Sequence, residues 1–170
     1  MTITFRPLVR DDFPMFVEWL ARPHVREWWG SPTTLAEVEE DYGPTLAPES
    51  RDHSYIAYMD DAPIGYIQSY AVVGDHQPEW WPDETDPGAR GIDQFLADGT
   101  RLGQGLGTAM VRAFVDRLFA DPAVTKVQTD PSPENARAIR CYEKAGFRRL
   151  EVIDTPDGPA LLMLQERRAP

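Results

Sequence analysis

The run Leu102-Gly103-Gln104-Gly105-Leu106-Gly107-Thr108 places glycine at alternate positions just ahead of an amphipathic helical pattern. Glycines spaced in this way let the main chain come close to a ligand. The N–H groups that open a helix have no partner inside it, and the helix dipole favours an anion in front of them. A pyrophosphate suits such a cradle; plain turn chemistry is the other reading of the loop taken alone. A P-loop would end its glycine-rich run in Gly-Lys-Ser/Thr, and Gly107-Thr108 lacks the lysine. A dinucleotide fingerprint would open the first strand–helix–strand unit, with an acid ~20 residues on. This loop lies late in the chain, and Asp121-Pro122, at about that distance, reads as a helix stop.

A second group of residues interleaves acids with aromatics. Asp75, Glu79, Trp80, Trp81, Asp83, Glu84 and Asp86 precede a strand-like segment that carries Asp93. Trp28 and Trp29 follow a first helix, and Asp130 ends a later strand. Carboxylates pair with ammonium groups, and indoles pack on sugar faces or on cations, so the pattern suits a polycationic ligand. The competing readings are a solvated acidic loop and, for Trp28-Trp29, burial in a core. Two adjacent tryptophans in so polar a loop point to a binding surface. Asp157 falls in a turn and reads as turn chemistry rather than a ligand contact. Cys141, the single cysteine, has no histidine near it in sequence and reads as a small apolar filler. The three histidines are far apart and no metal spacing exists, so no metal site is expected.

These residues need elements to position them. Ile3 to Pro7 alternates as a first strand. Asp11 or Asp12 can cap a helix through Phe13, Phe16, Val17 and Leu20, and Thr34-Leu35-Ala36-Glu37 is a capping box that opens a second helix towards Tyr42. Ser54 to Met59 and Ile64 to Tyr70 are strands joined by the turn Asp60-Asp61-Ala62-Pro63, and Gly91 to Ala97 is a fourth strand. A helix from about Thr108 to Phe119 buries Met110, Val111, Phe114, Val115 and Leu118. A fifth strand covers Val124 to Thr129, and a helix through Ile139 and Tyr142 ends at Gly146. Phe147 to Ile153 and Ala160 to Gln165 close the chain as a hairpin. The order predicts a mixed α/β sheet covered by helices.

The whole chain sets bounds on all this. Its 170 residues suffice for one domain, and 42% hydrophobic with 26% charged residues is ordinary for a globular protein, so a single domain over 1–170 is expected. The N-terminus has no signal-peptide pattern and no apolar run approaches the ~20 residues of a membrane span, which predicts a cytoplasmic protein with no membrane partner. A net charge of -11 argues against nucleic acid as a partner and fits either simple solubility or attraction of a polycation.

On the glycine loop, Asn135 and Cys141-Tyr142-Glu143-Lys144-Ala145-Gly146-Phe147, the chain resembles the GNAT N-acetyltransferases. Within that family it is similar to the aminoglycoside 6'-N-acetyltransferases. That likeness rests on Glu27-Trp28-Trp29-Gly30, Pro63-Ile64-Gly65-Tyr66, Gln68-Ser69-Tyr70, Trp80-Trp81, Thr85-Asp86-Pro87-Gly88, Arg90-Gly91-Ile92-Asp93-Gln94, Gln128-Thr129-Asp130-Pro131-Ser132-Pro133 and Thr155-Pro156-Asp157-Gly158-Pro159. Two departures stand out. Leu102 occupies a place where the family usually has Gln or Arg, and Asp75-His76-Gln77-Pro78-Glu79 fits the subgroup poorly.

The resemblance implies a GNAT-like fold, a mostly antiparallel sheet splayed between its fourth and fifth strands, with helices on both faces. Acetyl-CoA would lie in the splay as co-substrate. Its pyrophosphate would sit on the loop from Gly103 and Gln104 through Gly105, Leu106, Gly107 and Thr108. Asn135 would bond the pantetheine arm, or would merely start a helix. Tyr142 would donate a proton to the leaving thiolate, or be a core tyrosine; a phenol of pKa about 10 can serve a thiol of about 8.5. Asp93 would be either the base that deprotonates the amine or only an anchor for its ammonium form. An ordinary Asp near 4 is a poor base, so burial or an acidic neighbour would have to raise it. Transfer would be direct, without an acyl-enzyme on Cys141. Trp28, Glu79, Trp80, Trp81, Asp93 and Asp130 would hold the acceptor, most simply the 6'-amine of an aminoglycoside. Another small-amine or siderophore-type acyltransferase and a non-catalytic acyl-CoA-binding module are the alternatives. The expected assembly is a monomer or weak homodimer.

Overall fold

The computed structural model describes residues 1–74 and 79–169. Seven strands form one mixed sheet in the order β1-β2-β3-β4-β5-β7-β6. They are β1 (Ile3–Pro7), β2 (Asp52–Met59), β3 (Ala62–Ala71), β4 (Ala89–Leu96), β5 (Lys126–Thr129), β6 (Arg148–Thr155) and β7 (Gly158–Glu166). Five α-helices accompany them: α1 (Phe13–Leu20), α2 (Pro23–Trp29), α3 (Leu35–Tyr42), α4 (Leu106–Phe119) and α5 (Ala136–Ala145). The chain divides into two compact units, Met1–Gln68 with Gln94–Gln104, and Ser69–Asp93 with Gly105–Pro170. No helix among the described residues is long and apolar enough to cross a membrane.

In the first unit β1 and β2 pair antiparallel from Ile3↔Met59 to Pro7↔Tyr55. The turn after β2 runs through Asp60 and Asp61 at φ 48° and 69°, and Asp60 Oδ1 accepts from the Thr2 N–H at 3.1 Å. The Arg6 guanidinium grips both Asp12 oxygens at 2.9 and 2.7 Å and donates to the Tyr58 hydroxyl at 2.8 Å. Asp12 therefore does not cap α1, which starts without any side-chain cap after a 3-10 turn over Arg10–Asp12. The helix α2 is an addition to the expected order. Seven residues are too few to show a period, but Pro23 opens it and Gly30, at φ 74°, follows it. The capping box of α3 is present, with Thr34 accepting from the Glu37 N–H and Glu37 accepting from Thr34. Phe13, Phe16, Trp19, Tyr42, Tyr66 and Phe95 make the aromatic part of this unit's core. Trp29 joins them edge-on to Tyr66 and Phe95, its indole N–H donating to the Tyr42 hydroxyl at 3.1 Å.

In the second unit β4 and β5 run parallel, paired only over Ala89↔Lys126, Arg90↔Val127 and Gly91↔Gln128. Past that point the Thr129 hydroxyl, not a ladder amide, donates to the Ile92 carbonyl at 3.1 Å. The antiparallel partners of this part of the sheet are β5 with β7 and β7 with β6. The last hairpin turns on Pro156 and Asp157, closing at Thr155↔Gly158. Several boundaries differ from expectation, and two of the shifts have a clear local cause. The helix α4 starts at Leu106, two residues early, because Gly105 itself takes the N-cap position; β5 starts at Lys126, because Val124 closes the preceding turn through its N–H to Asp121 O.

Candidate active site

Tyr70 lies near the end of β3, beside β4, where the Val72 N–H donates to the Ala89 carbonyl at 3.2 Å. Its ring sits over Gly91. A Cβ at Gly91 would stand 2.1 Å from Tyr70 Cζ and 2.4 Å from its hydroxyl oxygen, so only glycine leaves room for the ring. The Trp81 indole, which can only donate, hydrogen-bonds the Tyr70 hydroxyl. Two residues beyond Gly91 on the same strand face is Asp93, and two beyond its register partner Gln128 is Asp130. Asp130 follows the last residue of β5, and its carboxyl lies close enough to Asp93 for their charges to act on each other.

Electrostatics report the same convergence. Burial, then the negative charge of Asp93, then that of Asp157, push the Asp130 carboxyl up from 3.8 to about 8, against one backbone hydrogen bond that lowers it. Burial, then Asp93 and Asp130, hold the Tyr70 hydroxyl well above the ordinary tyrosine value, with Tyr142 adding to the rise. Tyr142 is buried on α5 with its ring edge-on to Phe147, 5.5 Å between centroids. Asp93, Asp130, Tyr142 and Trp81 are therefore brought together. Asp157 is a turn residue, its N–H donating to Thr155 Oγ1 at 3.2 Å, but its charge also reaches Asp130. Sequence reasoning missed Tyr70 and Gly91. Their signal was present, a tyrosine and a glycine in consecutive strands, but it becomes readable only once the register is known.

The glycine loop has the geometry of a cradle. Gly103 and Gly105 take φ 75° and 84°, a region that side chains resist, and a Cβ on either would meet nothing within 4 Å. The requirement there is conformational and the space in front is open. The first α4 bond runs from Ala109 N to Gly105 O, at 3.0 Å, which leaves the N–H groups of Leu106, Gly107 and Thr108 ahead of the helical ladder. The Gln104 side-chain amide turns back and donates to the Thr100 carbonyl at 2.9 Å. The Thr108 hydroxyl donates to Cys141 Sγ at 3.7 Å, and burial pushes the Cys141 thiol up, away from the thiolate a nucleophile would need. Asn135 is the N-cap of α5, its Oδ1 accepting from the Ala138 N–H at 3.2 Å. The capping reading of Asn135 is thus realised, and its amide nitrogen is the part left for a ligand.

The remaining acids and aromatics sort by position. Glu84 pairs with Lys126 at 2.7 Å and accepts from the Asp86 N–H. Asp86 accepts from the Gly88 N–H and from the Thr125 hydroxyl, at 2.8 and 2.6 Å. These two acids fasten the loop to Thr125 and to Lys126 at the start of β5. Glu79 is exposed and Trp80 half-buried in the same loop, and Asp75 lies outside the described residues. Trp28, 44% exposed, belongs to the first unit, while its half-buried neighbour Trp29 packs against the core there. Among the described residues no group of His, Cys, Asp and Glu is arranged to hold a metal ion.

An acetyltransferase (GNAT) domain matches residues 9–155. The chain belongs to the GNAT acetyltransferase family. Its GNAT relatives include the aminoglycoside N(6')-acetyltransferase type 1 of Klebsiella pneumoniae, 53% identical over 171 residues that span 99% of this chain and 85% of that protein. A kanamycin resistance protein of Rhizobium radiobacter is 67% identical over 90 residues, 53% of this chain and 83% of that one. Among solved GNAT structures, aminoglycoside acetyltransferase AAC(6')-Ib in complex with coenzyme A and kanamycin superposes with a TM-score of 0.91 at 54% identity, covering 98% of this chain and 95% of that one. The mixed sheet with its parallel β4–β5 pair is the GNAT fold that the sequence led us to expect.

Proposed function

We propose that this chain transfers the acetyl group of acetyl-CoA to an amine of a polycationic small molecule, the 6'-amine of an aminoglycoside, and so inactivates the drug. One observation carries the reading: Asp93 and Asp130 converge beside Tyr142 and Trp81, in a chain with aminoglycoside N(6')-acetyltransferase relatives along its whole length. The coenzyme supplies an activated acetyl thioester. The chain supplies the cradle of Gly103, Gly105 and the N–H groups of Leu106, Gly107 and Thr108, whose open front and positive φ values fit a pyrophosphate.

The acceptor's chemistry explains the acids. An alkylammonium of pKa about 10 must lose a proton before it attacks. Asp93 alone would be too weak a base. Burial and a second carboxylate raise the proton affinity of the Asp93–Asp130 pair, and each unit of rise removes about 1.4 kcal/mol from the uphill transfer. The pair thus both holds the ammonium and takes its proton, directly or through water. Tyr142 donates to the departing thiolate. Trp81 and Trp80 give the sugar rings a flat apolar wall, with Glu79 as a further contact. Cys141 takes no covalent part, being a half-buried thiol that accepts a hydrogen bond from Thr108 and is pushed up, away from thiolate, by burial. A cytoplasmic location and a monomer or weak homodimer complete the proposal.

Thiol release from acetyl-CoA is the direct test, with kanamycin, tobramycin, spermidine and lysine derivatives as acceptors. Turnover on the two drugs is the expected result. Turnover on spermidine or lysine derivatives alone would overturn the substrate class. Calorimetry with coenzyme A that detects no binding would overturn the cradle.

A further inference from the structure

Resting on the coenzyme cradle proposed above, we infer that His24 is a positioning residue for the coenzyme: with Arg22 it fixes the chain that leaves β4 and so sets where the glycine loop stands. His24 lies at the start of α2, in the first unit, and its Nε2 is 2.8 Å from the Leu96 carbonyl. That oxygen can only accept, so the hydrogen sits on Nε2. The other edge of the ring is pressed against Gly99, where a Cβ would stand 2.8 Å from Nδ1. Glycine at 99 is what lets the ring approach so closely. Arg22, just ahead of α2, donates to the next carbonyl, Ala97 O, at 2.6 Å, and its other terminal nitrogen is held by Glu18 at 2.9 Å. Two side chains from one end of α2 therefore hold two consecutive carbonyls at the point where β4 ends.

From these anchors to the cradle the chain is one hydrogen-bonded piece. The Asp98 carboxylate accepts from the Thr100 N–H and hydroxyl at 2.9 and 2.7 Å, and the Arg101 N–H closes the turn onto Asp98 O at 3.2 Å. The Gln104 side-chain amide then ties the loop back to the Thr100 carbonyl at 2.9 Å, across Gly103 at φ 75°. Residues 98–104 are thus bound to one another, and their place depends on how Leu96 and Ala97 are held. From β3, Ile64 O takes the Ala97 N–H at 2.9 Å; His24 and Arg22 take the carbonyls. Main-chain N–H groups grip an anion only where they converge on it, and a misplacement of ~1 Å from a distant change is enough to undo such positioning.

Calorimetry of the ligand-free protein with coenzyme A tests this without turnover. His24→Ala should weaken coenzyme A by roughly 10-fold, the scale of one lost hydrogen bond. His24→Gln, whose amide nitrogen can take the place of Nε2 as donor, should stay within about 3-fold of wild type. In steady state the KM for acetyl-CoA should rise in His24→Ala while the KM for kanamycin holds. Thr34→Ala, which loosens the same unit at α3, is the control and should leave coenzyme A affinity unchanged. A folded His24→Ala that binds coenzyme A as tightly as wild type, or a His24→Gln as weak as His24→Ala, would overturn the role. Wild-type protein that binds coenzyme A but acetylates no drug would sink the function proposed above and leave this test standing. If His24→Ala does not fold, Arg22→Met, at a partly exposed side chain, carries the same readout: roughly 10-fold weaker coenzyme A is expected, and unchanged affinity overturns the inference.

Discussion

Asp130 makes a residue-level claim that stability can test. Its carboxyl is raised from 3.8 to about 8, chiefly by burial and then by Asp93. The unfolded chain releases this proton near 3.8 while the fold keeps it until about 8, so in that window the fold binds more protons and loses stability as pH rises. Below 3.8 the penalty is absent; above 8 it is constant. Asp130→Asn should therefore melt at nearly the wild-type temperature at pH 4 and increasingly above it towards pH 8, by a final margin on the order of 1–3 kcal/mol. Calorimetric scans at several pH values measure this; a difference that is flat in pH would remove the shared proton from the account. The same variant should lose most of its activity on kanamycin. Asp93, Asp130 and Tyr142 were legible in the sequence because the resemblance singles out their positions. Tyr70 was not, because its importance lies in what Gly91 lacks across the strand gap. Asp157 was half legible: its turn role is local, its effect on Asp130 is not.

Among elements, the ones with chemical punctuation were readable. Thr34 and Glu37 announce α3, and Gly146, at φ 110°, ends α5 as its position suggested. The helix α2 escaped because seven residues carry no period, and Asp12 was misread because Arg6, brought near by β1, competes for it. Two predictions belong here. Thr34→Ala removes an N-cap and should cost about 1 kcal/mol of stability in a denaturant melt, with kcat/KM for kanamycin unchanged. Gly105→Ala forces a side chain into φ 84° at the head of α4. It should weaken coenzyme A in calorimetry by about 10-fold or more, while the drug KM stays put; unaltered coenzyme binding would show that the loop is only a turn.

At the scale of the whole molecule, a net charge of -11 surrounds a site that is itself acidic. Such a surface draws in polycations, and salt screens it over a Debye length of ~10 Å at 0.1 M. Raising ionic strength from 0.05 to 0.5 M should lower kcat/KM for tobramycin by roughly 10-fold, mostly through KM, with a much smaller change for a monoamine acceptor. Equal salt responses would mean the charge serves solubility only. The long-range sheet order, with β7 inserted between β5 and β6, lay beyond any local pattern, since it depends on which hairpin strand meets β5. One local feature has a practical consequence for the entire fold. At the β2–β3 tip, Asp60 spends its side chain on Thr2, but Asp61 holds φ 69° with an exposed side chain. Asp61→Gly would relax that bend and raise the melting temperature by a degree or more, for a gain of about 0.5–1 kcal/mol. An engineer wanting a hardier scaffold, on which damaging site variants could still be purified, would begin there.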